Sequence, residues 1–286
     1  MTPNRPESSS RPAASGTDGA AGTGGASGAG GASLFELTGR VAAVIGGTGV
    51  LGGAVCHGLG NAGAAVAVMG RSVEKADRRV AALRADGITA TATILDASDR
   101  SSLEHARLEV EERLGPVDIL VNAAGVNSST PFFEIDADEW HRLLDANLTS
   151  VFLACQVFGR AMADRGRGGS IINFSSASSE IPLSRVPTYS VSKAGVNILT
   201  RYLARELAPS HIRVNAIVPG FFPAEQNRRL LDASRVESIL RHTPAGRLGE
   251  PGELVGTVVW LASERAAGFV TGALIHVDGG FSAMTI

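Results

Sequence analysis

Residues 41–53 read Val-Ala-Ala-Val-Ile-Gly-Gly-Thr-Gly-Val-Leu-Gly-Gly, and this stretch decides the fold. Val41 to Ile45 are continuously apolar, not alternating, as in a strand buried on both faces. The glycines that follow let a backbone turn tightly, and a helix beginning there offers its amide N–H groups to a pyrophosphate. Gly46, Thr48, Gly49, Val50, Leu51 and Gly52 are therefore the expected contacts to a dinucleotide. A glycine-rich turn that merely packs a strand on a helix is the plainer alternative, and context has to decide between them.

That context is an alternation of strand and helix along the chain. Apolar, β-branched runs recur at 64–69, 89–95, 117–121, 170–174, 213–217 and 273–277. Between them lie segments of helical period, including 73–85, 138–163, 191–207 and 253–262. Seven strands joined by crossover helices predict an α/β fold: a single Rossmann-type doubly wound domain, its seven-stranded parallel sheet covered by helices on both faces. In such sheets a ligand sits beyond the carboxyl ends of the strands, where strand order reverses.

Composition bounds the rest. Residues 1–33 are nearly all Ser, Gly, Ala, Thr and Pro, too few apolar side chains to offset ordering entropy, and are expected to be a disordered tail. The domain is expected over 34–286, one unit of roughly 250 residues. A formal net charge of -2 gives no reason to expect nucleic acid or an acidic membrane as partner. No apolar run reaches the ~18 residues of a membrane span. Cys56 and Cys155 sit in apolar segments without metal-ligand spacing, which fits a reducing, cytoplasmic setting and no metal site.

Three further features carry chemistry. The second strand ends at Met69-Gly70-Arg71, with no acidic residue to bind the adenosine ribose and repel a 2′-phosphate. Arg71 can pair with that phosphate, favouring NADP(H) over NAD(H), or can be a solvated surface residue. Asp96, after the third strand, is placed either to meet the adenine edge or to cap the next turn. Tyr189 and Lys193, four apart in a helical segment, share one helix face. An ammonium beside a phenol lowers its pKa, suiting it to general acid–base work. Tyr-x-x-x-Lys alone is common, and a surface pair is the plainer alternative.

The order of these motifs resembles the short-chain dehydrogenase/reductase family over nearly the whole domain. The glycine-rich turn is followed by Asn122-Ala123-Ala124-Gly125, Asn147, Ser175-Ser176, Tyr189 with Lys193, and Pro219-Gly220. The resemblance implies a hydride transfer between NAD(P) and a carbonyl or alcohol. In it Ser176 hydrogen-bonds the reacting oxygen and Tyr189 is the proton donor. Lys193 binds the nicotinamide ribose and lowers the tyrosine pKa, and Asn147 holds a proton-relay water. Asn122, Ala123, Ala124 and Gly125 would line the cofactor cleft, with Tyr189, Lys193, Pro219 and Gly220 also touching the cofactor. The chain departs from the family pattern in two regions. Ile45 replaces a threonine and Val50 a glycine in the turn, while Ala224 stands in the region where many members carry a carboxamide-binding threonine.

Within the family the stretches 46–53, 182–189, 214–228 and 242–249, with the ending 277–282, are most like the short-chain type of D-mannonate oxidoreductase, or fructuronate reductase. That likeness implies a keto sugar acid such as fructuronate as substrate, or mannonate in reverse. A substrate loop is expected at about 221–247. Arg185 is the first candidate for the substrate carboxylate and Arg228 the second, with Gln226 and Asn227 for hydroxyls. Exposed arginines are common on loops, so a surface role for them is the plainer alternative. Two other readings stay open: a reductase of a 3-oxoacyl ester or ketose on the same residues, and a non-catalytic NAD(P)-binding regulator. Excess apolar surface on the segments at 138–163 and 191–207 points to a homo-oligomer, and the resemblance implies a homotetramer.

Overall fold

The computed structural model describes residues 33–223 and 232–284. The tail expected over 1–33 lies outside them except for Ser33, as do Ala224, Gln226, Asn227 and Arg228 of the expected substrate loop.

Seven strands form one parallel sheet in the order β3-β2-β1-β4-β5-β6-β7. They are β1 Val41–Ile45, β2 Ala65–Gly70, β3 Ala90–Ile94, β4 Ile119–Asn122, β5 Gly169–Phe174, β6 Ile212–Pro219 and β7 Leu274–Val277. The expected parallel doubly wound architecture is thus observed, with strand ends displaced by a residue or two. Alternate side chains of each central strand serve opposite faces. Ala42 and Val44 pack with α1 (Val50–Asn61), α2 (Val73–Ala85) and α8 (Val255–Ala262) through residues such as Val55, Leu59, Leu83 and Val258. Val41, Ala43 and Ile45 pack the other way, with α3 (Arg100–Leu114), α5 (Ser150–Arg165) and α6 (Pro187–Leu207) through Leu103, Val110, Phe158 and Val196. Two cores sharing one sheet explain why the central strands are mainly apolar on both faces.

The helix expected over 138–163 is observed, running from Ala137 to Arg165, but it is not α-helical throughout. α4 (Ala137–Leu144) and α5 are joined by a π-helical turn at Asp145–Thr149. The reason is tertiary: the Asn147 amide donates to the Val126 carbonyl at 2.9 Å and to Ser192 Oγ at 3.1 Å, and its Oδ1 accepts from the Val126 N–H at 2.8 Å. A wider turn accommodates an inserted residue without breaking the helix. Pro187 opens α6, where its missing N–H and fixed φ suit the first turn. Ahead of it, Arg185 has a left-handed backbone, φ 70°. Asp232 caps α7 (Ala233–His242) by accepting from the Arg235 N–H at 2.8 Å. Among the described residues no helix is long and apolar enough to cross a membrane, and no cluster of His, Cys, Asp and Glu could hold a metal ion.

Candidate active site

Strand order reverses between β1 and β4, and the carboxyl ends of these two strands open on a cavity of about 700 Å³. Its floor is the glycine-rich turn. Gly46 has φ +88°, and a Cβ there would stand 2.6 Å from the Ala124 amide nitrogen, so only glycine lets β1 and β4 leave the sheet this close together. A Cβ on Gly52 would collide with the Gly46 carbonyl oxygen. Gly49 caps α1 in an extended conformation with no side-chain acceptor for the first amides of the helix. Those amides lie at the cavity floor, and an anion there would satisfy them and the positive end of the helix dipole. Thr48, Gly49, Val50, Leu51 and Gly52 all line the cavity, so Val50 in place of a glycine leaves the turn intact. This cradle fits the pyrophosphate of a dinucleotide.

Beyond β2, Arg71 and Asp96 line the same cavity. The Arg71 guanidinium has no hydrogen-bond or ion-pair partner among the described residues, which leaves it available to a ligand phosphate. Asp96 Oδ1 accepts from Ser98 Oγ at 2.6 Å and from the Ser98 N–H at 3.0 Å. Those bonds first, and the Arg71 charge last, hold its carboxyl below the usual range. Both roles read for Asp96 are thus compatible with its position. The α4 residues His141 and Arg142 close the far wall.

Leu51, Ala123, Ala124 and Gly125 also border a second cavity, of about 100 Å³, reached from the first. Here Ser176, Tyr189, Lys193, Pro219 and Gly220 come together. Ser176 follows β5 and is held by Ser178, whose Oγ donates at 3.0 Å and whose N–H donates at 3.2 Å. Tyr189 and Lys193 project from one face of α6, one turn apart, with the Lys193 Nζ 5.7 Å from the Tyr189 ring centre. Nζ donates to the Phe174 carbonyl at 2.8 Å, and Gly125 leaves the space beside both Nζ and Asn147 Oδ1. Ser192 accepts from Asn147 and donates to the Tyr189 carbonyl at 2.6 Å, tying the π turn to the first turn of α6.

The electrostatics differ from the expectation in one respect. Burial pushes the Tyr189 phenol up, and its hydrogen bond with Ser176 only partly opposes this. Burial also lowers the Lys193 ammonium to about 8. With only protein around it, the phenol is held protonated, the form a proton donor needs, while Lys193, at about 8, still carries its charge at neutral pH.

Two expected residues lie elsewhere. Asn122 does not line the cleft that Ala123–Gly125 line: it is buried in the sheet, its Nδ2 donating to Asn173 Oδ1 at 2.9 Å. Placed at the last position of β4, it bridges to β5, because a buried amide must find a partner and Asn173 is its register mate. Arg185 is turned away from Tyr189. It pairs with Asp232 at 3.0 Å and lines a separate hollow with Thr130, Phe132 and Pro187. Conversely, Arg235 and Asn127 line the cavity of Tyr189 and were not singled out. Asn127 stands two residues beyond Gly125, a signal within reach of sequence reading. Arg235 sits on α7, and only the long-range contact to Ser184 brings it there.

The enoyl-(acyl carrier protein) reductase family model matches residues 48–282. An uncharacterized oxidoreductase of Bacillus subtilis, UxuB, is 39% identical, the match covering 87% of this chain and 96% of that protein. The 5-keto-D-gluconate 5-reductase of Escherichia coli K12 is 36% identical over 86% of this chain and 97% of its own. A crystal structure of a gluconate 5-dehydrogenase from Burkholderia cenocepacia, in complex with NADP and tartrate, superposes with a TM-score of 0.84 at 36% identity, covering 88% of this chain and 98% of that one.

Proposed function

Because the chain belongs to the short-chain dehydrogenase/reductase family, an NAD(P)-dependent oxidoreductase acting on CH–OH groups, we propose that it interconverts a keto sugar acid and its hydroxy acid with NADP(H) as the favoured cofactor. The observation that carries this reading is the meeting of Tyr189, Ser176 and Lys193 in a cavity that opens onto the glycine cradle. Similarity to relatives named for gluconate and its keto acid supports the sugar-acid class. The fructuronate–mannonate and 5-ketogluconate–gluconate pairs are the two candidates within it. Arg71, without a protein partner, supports the choice of NADP(H) over NAD(H).

In this reading Gly46, Gly49 and Gly52 with the first amides of α1 hold the pyrophosphate, and Arg71 holds the 2′-phosphate. Bound nicotinamide supplies the hydride in reduction and accepts it in oxidation. The Tyr189 phenol donates its proton to the carbonyl oxygen as that oxygen becomes a hydroxyl, and takes one back in the reverse direction. Ser176 Oγ, fixed by Ser178, hydrogen-bonds the same oxygen and so stabilises the charge developing on it. Lys193, anchored on Phe174, keeps two further N–H groups for the cofactor ribose, and its positive charge stabilises the phenolate left after proton transfer. Asn147 is a positioning residue: it holds Val126 at the cavity rim and Ser192 under Tyr189.

Leu183, Val186, Phe221 and Phe222 give the same cavity an apolar wall, which favours a second reading, reduction of an acyl ketone. Self-association belongs to the proposal too, with Phe152 on α5 and Val191, Ile198 and Tyr202 on α6 forming exposed apolar faces. NADPH and NADH consumption should be followed with fructuronate, 5-ketogluconate, fructose and an acyl ketone. Turnover of an acid at least about tenfold above the neutral substrates supports the assignment. Turnover confined to fructose or the acyl ketone overturns it.

A further inference from the structure

Arg235 also lines the cavity of Tyr189 and Ser176. Its NH1 donates to Ser184 Oγ at 3.0 Å and its NH2 to the Ser184 carbonyl at 2.8 Å. Both acceptors are neutral. The carboxylate of Asp232, whose charge acts on Arg235, is committed elsewhere: Oδ2 accepts from Arg185 at 3.0 Å, and Oδ1 accepts from Ser234 Oγ at 2.7 Å and from the Arg235 N–H at 2.8 Å. Among the described residues Arg235 forms no salt bridge.

A guanidinium has five N–H donors, of which Ser184 takes two. The remaining donors belong to a planar fork shaped for a carboxylate. Burial and the neighbouring Arg185 both disfavour the Arg235 charge, and Asp232 only partly compensates. A half-buried cation with neutral partners and spare donors can pair with an anion without first breaking a salt bridge. The Arg185–Asp232 pair completes the device: Arg185 takes the Asp232 Oδ2, so that oxygen does not pair with the Arg235 guanidinium.

We propose that Arg235 receives the carboxylate of the substrate acid, while Tyr189 and Ser176 hold the reacting carbonyl in the same cavity. This rests on the sugar-acid reading above and deepens it, naming α7 as the source of acid specificity. Arg185, expected from sequence to bind the carboxylate itself, becomes a positioning residue that acts through Asp232.

The test uses the full-length enzyme with saturating NADPH, a keto sugar acid and the neutral ketose of the same carbon number, comparing wild type with Arg235→Gln, Arg235→Met and Arg235→Lys. Melting temperatures check that each variant is folded, and the methionine variant stands in if the glutamine one is not. The expected result is a KM for the acid raised about thirtyfold or more in Arg235→Gln, with kcat within about threefold, since the lost contact is made equally in ground and transition states. Arg235→Lys should recover part of the loss, and kcat/KM for the neutral ketose should change less than about threefold. A wild type that prefers the acid, with an acid KM untouched in the glutamine and methionine variants, overturns the role of Arg235 alone. A wild type with no preference for the acid overturns this inference together with the sugar-acid reading.

Discussion

Replacing Lys193 by methionine should abolish activity and yet stabilise the cofactor-free protein at neutral pH. Burial lowers the Lys193 ammonium from 10.5 to about 8. At about 1.4 kcal/mol per pH unit, keeping that charge in the folded state destabilises the protein by roughly 3 kcal/mol at pH 7. Methionine has nearly the same length and removes the charge, but leaves the Phe174 carbonyl without its donor, a loss of about 1–2 kcal/mol. The variant should therefore be about 1–2 kcal/mol more stable than wild type at pH 7. The direction with pH follows from the depressed pKa of a base. Below about 8 the lysine is protonated in both states and the full cost is present. Between about 8 and 10.5 the unfolded chain binds the proton and the folded one does not, so wild-type stability rises with pH. By pH 9.5 roughly 2 kcal/mol is recovered and the advantage of the variant is gone. Urea unfolding of both proteins, without cofactor and at one protein concentration, measures the difference directly. A variant less stable than wild type at pH 7, or a gap that does not change with pH, refutes the reasoning.

Gly46→Ala combines a positive φ with a Cβ driven against Ala124, and should lower stability by about 2–4 kcal/mol. Because the displaced segment lines both cavities, NADPH affinity measured by fluorescence titration should fall with it. Arg71→Ala should lower kcat/KM with NADPH about tenfold to a hundredfold and leave the NADH value nearly unchanged, corresponding to one lost charge-assisted contact of ~1.5–3 kcal/mol. Equal losses with both cofactors would remove Arg71 from phosphate recognition. Ile198→Asp places a charge on the exposed apolar face of α6, and light scattering should then report a smaller assembly than wild type.

The sheet was legible because strands buried on both faces are mainly apolar, and β1, apolar at every position, is followed at once by its glycine turn. Tyr189 and Lys193 were legible as a pair because helical spacing is a local property. What escaped depends on contacts distant in sequence. Nothing near Asn147 signals a π turn; the turn exists because Val126 and Ser192 bond its amide. Asn122 read as a cleft residue, but its position at the end of β4 also faces Asn173 across the sheet, and the amide pair wins. Arg185 stands four residues before Tyr189 in sequence, and Arg235 carries no such signal. Only folding α7 against Ser184 and Asp232 decides which of them faces Tyr189. The Tyr189 phenol shows the same limit, since spacing reveals the neighbouring ammonium but not the burial that raises the phenol.

The account rests on Tyr189 as the group that moves the proton, and the most direct measurement is single-turnover oxidation of bound NADPH by a keto sugar acid in wild type and Tyr189→Phe. The phenylalanine variant should bind NADPH with the wild-type affinity and lose at least about a hundredfold in the rate of hydride transfer. Transfer at the wild-type rate in that variant would contradict the assignment of Tyr189.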